Sequence, residues 1–164
     1  MKMAEYTKAV IQGRPHFHVS IVNQVSPYCD CHAENDAAVV PDIGMFASFD
    51  PVALDHACID AVNAAPAIST SVLGQCAHEH NDHFTDIHPS TNWRSQIEHA
   101  QKIGIGNMDY ELVTVIGPAP AVRRQRATNG KTASSDAVFF YAPAPAAVRH
   151  PGGSGRGQRR CAPF

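Results

Sequence analysis

The feature that most constrains the fold is the apolar run IGMFAS, residues 43–48, followed at once by Asp50 and Pro51. The run has the length of a strand and is apolar on both faces. That predicts a strand covered on both sides, as in a mostly parallel sheet. Asp50 is a good helix N-cap, and Pro51 is pre-set for the first helical position. A helix is expected over residues 51–64, with Leu54, Cys58, Ala61 and Val62 inward and His56, Asp60 and Asn63 outward. Strand, short turn and helix make one β–α unit.

Other segments extend this pattern. Residues 2–12 have Met3, Tyr6 or Thr7, Val10 and Ile11 at helical spacing. Gly13 stands where a left-handed C-terminal cap is wanted, and Pro15 prevents continuation. In residues 16–23, Phe17, Val19 and Ile21 alternate with His16, His18 and Ser20, a strand with one face buried. Residues 24–41 form a loop with a short apolar piece, and residues 66–91 form a long one. A second helix starts near Trp93, capped by Thr91 or Asn92, with Trp93, Ile97, Ala100 and Ile103 as its apolar stripe. Residues 110–115 read as a closing strand. The fold class is therefore α/β, with a small, mostly parallel or mixed sheet flanked by helices.

Charge divides the chain. Up to residue 116 there are 5 basic against 14 acidic residues, a net charge of −9. From Gly117 onward 8 basic residues face Asp136 alone, for +7. Residues 1–116 are taken as the folded domain. Residues 117–164, rich in Ala, Pro, Gly and Arg, are expected to be a disordered, low-complexity basic tail in which VFFY is a lone apolar run. An acidic domain is a poor match for nucleic acid, whose phosphates need a basic face. The first ten residues lack a signal-peptide core, and no run approaches the roughly 20 apolar residues of a membrane span. A cytoplasmic location is expected. The five cysteines, an odd number without a regular frame, then read as free thiols or metal ligands rather than disulfides.

Three places hold residues with chemical potential. Cys29, Cys31 and His32 lie in Pro-Tyr-Cys-Asp-Cys-His, where two sulfurs two residues apart are able to face one soft metal ion. Partly buried thiols in an ordered loop are the alternative. His78, His80, His83 and His88, with Cys76, lie in a polar loop that reads either as a source of further ligands or as a solvated segment. Asp42, Ser48, Asp50 and Asp55 surround the strand-to-helix junction, where α/β proteins bind ligands. Asp50 reads most simply as a cap. Asp55, one turn into the helix, reads as a pocket base or ligand with a raised pKa, or as the partner of a nearby donor. No phosphate loop, nucleophile elbow or His-Glu-x-x-His occurs.

VSPYCDCHAENDAAVVPDIGMFASFDPVALDHACIDAVNAAP resembles part of the domain-of-unknown-function 362 family, and HFTDIHPSTNWRSQIEHAQKIGIGNMDYELV extends the likeness, which spans about residues 2–115. The resemblance implies the C-terminal portion of an iron–sulfur-associated protein. Its partner would be a missing N-terminal half or a ferredoxin-like segment carrying 4Fe–4S clusters, whose ligands have no counterparts in this chain. On that view the chain is a redox or electron-transfer domain of unknown substrate, with a possible metal ion at Cys29 and Cys31. A stand-alone zinc-dependent hydrolase using those cysteines and the loop histidines is the alternative from another class. A third reading is an inactive fragment, which would expose an apolar patch or self-associate through it.

Overall fold

Helix α2 (Pro51–Ala64) forms where the Asp-Pro pair predicts it. Asp50 is extended, at φ −98° and ψ 112°, and its side chain accepts from the amides of Val52 and Ala53. Three preceding elements are α1 (Lys2–Ile11), β1 (His18–Val22) and β2 (Gly44–Ser48). After α2 come the one-turn helices α3 (Val72–Gln75) and α4 (His83–Ile87), then α5 (Arg94–Lys102) and β3 (Glu111–Ile116). The long loop expected over 66–91 thus contains two short helices. The computed structural model describes residues 2–29, 32–33, 37–75, 81–116, 121–126 and 137–141.

Two further strands, β4 (Ala121–Arg126) and β5 (Ala137–Tyr141), lie beyond residue 117. The sheet is mixed, in the order β1-β2-β5-β3-β4. Among the described strands β3 and β5 run parallel, and the other pairs are antiparallel. An expectation of structureless tail therefore does not hold for these two segments. β5 contains the VFFY run and sits between β2 and β3, where Val138 is fully buried. Its physical reason is length: an apolar run of four is too short to announce a strand by periodicity, yet enough to fill a slot flanked on both sides. Gly44, at φ +147°, permits the close approach, since a Cβ there would collide with the backbone carbonyl of Tyr141.

Helices cover one face of the sheet. Val22, Phe46, Leu54 and Val138 form the main core with Val39, Val40 and Leu73. The apolar piece within residues 24–41 is thereby a plug, held by Val39 N–H donating to Val25 O at 2.7 Å and Ile68 N–H donating to Val39 O at 2.9 Å. A second cluster joins Ala4 of α1, Val52 of α2, and Ile97 and Ala100 of α5. α2 is buried on two sides, so Val52, Ala53 and Ala57 join Leu54 and Val62 inside, while Cys58 and Ala61 are only half-buried.

Two expectations are corrected here. Helix α1 turns Ala4 inward, and its apolar stripe of Met3, Tyr6 and Val10 faces out. The neighbour α5 demands close approach, which the small Ala4 side chain allows. Strand β2 is covered on one face only: Phe46 and Ser48 are buried, whereas Met45 is exposed. By register the open side also carries Val19 and Ile21 of β1 and Phe139 and Tyr141 of β5. All four are exposed.

Val138→Ala removes two methyl groups from a filled site. It is expected to lower the unfolding free energy by about 2 kcal/mol, as measured by urea denaturation of the full chain. No change would mean that β5 is not part of the cooperative unit.

Candidate functional site

The strand-to-helix junction is tightly bonded. Asp50 Oδ1 accepts from Val52 N at 2.8 Å and Ala53 N at 3.0 Å, and Oδ2 accepts from Asn107 N at 2.7 Å. Its own amide donates to Ser48 Oγ at 3.1 Å. The carboxylate is a cap and a staple to the loop after α5. Gly106 passes so close that any Cβ there would run into the Asp50 carboxylate. Asp42 lies before β2, on the order of 20 Å of strand from Asp50. It accepts from the amide of Gln24, a residue held at φ +49°. Asp42 and Asp50 therefore do not converge on one ligand.

Asp55 borders a small cleft of about 40 Å³ between α1, α2 and α5, lined by Ala4, Thr7, Gln96 and Ile97 among others. That volume suits about one water molecule. Desolvation on this side pushes its carboxyl above the usual range. Across from α2, β1 supplies a polar seam. His18 Nε2 and His16 Nδ1 share a hydrogen bond of 2.9 Å. Burial lowers the pKa of His18, the neighbouring His16 lowers it further, and Asp50 opposes both. The Cys58 thiol is pushed up to about 11, first by burial and also by Asp55, against a hydrogen bond from Ser20. A thiol so raised stays protonated at neutral pH and is a poor nucleophile.

The loop around Cys29 is anchored from the other side of the chain. His88 Nε2–H donates to Pro27 O at 2.6 Å, which fixes that tautomer. The Tyr28 ring meets His88 edge-on at 5.8 Å and His32 at 5.1 Å. His32 N–H donates to Cys29 O at 3.0 Å. The structure thus brings Cys29, His32 and His88 into one neighbourhood. Cys29 is exposed and disulfide-bonded, against the expectation of free thiols, and Cys58 is free. Cys31, Cys76, His78 and His80 lie outside the described residues. Among the described residues no group of three His, Cys, Asp or Glu side chains is arranged to hold a metal ion.

Sequence reading missed the residue that anchors this loop, Asp82. It caps α4 through Phe84 N at 3.1 Å and Thr85 N at 3.3 Å. Its Oδ2 accepts from Trp93 Nε1–H at 2.9 Å and meets Arg94 Nη2 at 3.4 Å. Arg94 in turn lies 4.3 Å above the Trp93 ring. Burial alone would raise its carboxyl pKa, but the Trp93 N–H and the Thr85 and Phe84 amides outweigh that and hold it below the usual range. Only the cap had a sequence signal, Asp82 ahead of a short apolar-polar run. Tyr110 donates its hydroxyl proton to Asp60 Oδ2 at 2.7 Å, a partnership across 50 positions that no local pattern announces. Burial first, and then Asp60, push the Tyr110 pKa up.

The loop, the seam and the junction up to Asp60 fall within one stretch that comparison identifies. Residues 1–60 match the family described as Domain of unknown function (DUF362). No curated protein and no solved structure matches the chain. The DUF362 match is shorter than the span over which the motifs resemble that family. It includes Cys29, Cys31, His32, Asp42, Ser48, Asp50 and Asp55, and it ends inside α2. The Asp82 anchor and strands β3, β4 and β5 lie outside the DUF362 match.

Asp82 ties stability to pH. A carboxyl whose folded pKa is depressed stabilises the fold above its unfolded pKa, near 3.8, and the contribution is lost as pH falls through the lower folded value. Asp82→Asn is expected to destabilise the protein by about 2 kcal/mol at pH 7, with the difference from wild type shrinking below pH 3.8. Thermal melts at both pH values measure this. A pH-independent difference would show that the charge is not what matters.

Proposed function

We propose that the chain is a redox domain whose reactive group is the cysteine pair of the Cys-Asp-Cys loop, Cys29 and Cys31. The observation that carries this reading is the disulfide state of Cys29 in an exposed loop pinned by His88 and Tyr28. An exposed disulfide is open to thiol exchange and to reduction, unlike a buried structural one. In the step proposed, the sulfur–sulfur bond breaks, two electrons and two protons enter, and two thiols result. The reductant is an iron–sulfur donor on a separate segment, as the family resemblance suggests, and it delivers the two electrons in two successive one-electron transfers. A 4Fe–4S cluster needs four thiolates, and in this reading the cluster is carried by the partner.

Once reduced, Cys29 is a candidate soft-metal ligand with Cys31 and His32. Asp42 and Asp50 act in this reading as backbone staples beside the loop and along β2, with Ser48 bonded to Asp50. Asp55 is the polar group with a raised carboxyl pKa at the cleft between α1, α2 and α5.

Counting reactive thiols in unfolded protein tests the reading, before and after mild reduction under anaerobic conditions, with iron and zinc analysis alongside. Two extra thiols are expected on reduction, and none of them in Cys29→Ser. If the untreated protein already shows all its thiols and Cys29→Ser binds no less metal than wild type, both the redox and the metal roles are removed.

A further inference from the structure

Among the described residues the helices lie on one side of the sheet, and its other side carries an apolar surface that the redox reading does not use. Phe17 and Phe49 meet ring to ring at 4.9 Å on that side, and they leave 52% and 67% of their surfaces exposed. Ile21 is 66% exposed, Met45 41% and Tyr141 45%. The paired register, Val19 with Ala47 and Ile21 with Met45, then Met45 with Tyr141 and Ala47 with Phe139, makes these side chains one continuous band across three strands. No charged side chain interrupts it on β1, β2 or β5. Glu111 of β3 stands only at its border, in register with Ala137.

Large apolar side chains carry about 150–250 Å² each. With Val19 at 52% and Phe139 at 43% added, the band leaves on the order of 700 Å² of apolar surface uncovered, more than the roughly 300–600 Å² of the largest patch on a typical monomer. A stable interface of standard size buries about 800 Å² per partner. The band therefore supplies nearly the whole of one side of such an interface. Its lack of charge matters for the choice of occupant. A second copy would bring the same uncharged surface, so no like charges oppose one another, and nothing in the band selects for a charged partner. Two sheets packed face to face, about 10 Å apart with strands inclined by roughly 30°, accommodate interdigitating side chains of this kind. The same patch on both molecules closes under a two-fold axis without leaving a free end.

We infer that the open sheet face is the interface of a two-fold homodimer, in which two copies of this chain pack β1, β2 and β5 against the same strands of the mate. This inference is independent of the chemistry at Cys29.

Sedimentation velocity of the full chain over a concentration series, under reducing conditions to exclude intermolecular disulfides, tests it. Wild type is expected to reach a limiting mass of twice the monomer. Ile21→Lys puts a charge on the outer strand of the band, opposite Met45, at an exposed position where folding does not require the native side chain. It is expected to weaken association by about tenfold or more while retaining the wild-type circular dichroism. Val10→Lys changes the exposed stripe of α1 instead and is expected to leave association unchanged. A wild-type chain that stays monomeric, that grows beyond two copies without limit, or that dissociates on Val10→Lys but not on Ile21→Lys overturns the inference. Association with a different protein while the chain alone remains monomeric overturns it as well.

Discussion

The Asp50 carboxylate is the interaction on which the rest depends. It starts α2 by satisfying two of the amides that a helix leaves unpaired at its N-terminus. The same group accepts from Asn107, so the loop that leads from α5 into β3 is fixed to the point where β2 becomes α2. Ser48, the last residue of β2, completes the link by accepting from the Asp50 amide. Sheet, central helix and the entry to β3 therefore share one short-range knot. Gly106 is required for it, because any larger residue occupies the space of the carboxylate. Asp82 repeats the device at the next turn of the chain, capping α4 while holding the Trp93 and Arg94 side chains at the start of α5.

The Asp82 carboxylate contributes to how the Cys29 loop is positioned. Asp82 fixes α4; His88 follows α4 directly and donates to Pro27. His83 adds a second tie by donating to Ala65 O, at the end of α2. The exposed cysteine is thus carried by a loop whose foundations are buried charge and backbone amides rather than apolar packing. Acidification suppresses thiolate formation first, and it loosens the support of the loop only at the much lower pH where Asp82 protonates.

Local chemistry was legible and distant pairing was not. The Asp50-Pro51 start of α2, the αL residue Gly13 after α1 and Gly104 after α5 all follow from residue type, since φ is +73° and +74° at the two glycines. The alternation Phe17, Val19, Ile21 announced a strand, yet its apolar side turned out to be the uncovered one. Periodicity reports that one face differs from the other, and it is silent on which layer is present to cover it. Helix α1 shows the same limit: Met3, Tyr6 and Val10 face out, and Ala4 is the buried residue that packs with Ile97 and Ala100 of α5. At the candidate site, the Cys-Asp-Cys loop stood out by composition, whereas Tyr28, His88 and Asp82 gained their roles from contacts across the chain.

The strand at the heart of the sheet is the last of the described strands that the ribosome delivers. β2 has β5 as its inner neighbour, and β5 ends at Tyr141, more than ninety residues after β2 in the chain. Until that strand arrives, β1 and β2 make a two-stranded ribbon supported by its packing against α2. The inner edge of β2 is unpaired over the same interval and open to strand addition from another molecule. Folding of this chain is thus gated by its C-terminal third, and a nascent or truncated product carries a raw sheet edge that the finished protein conceals.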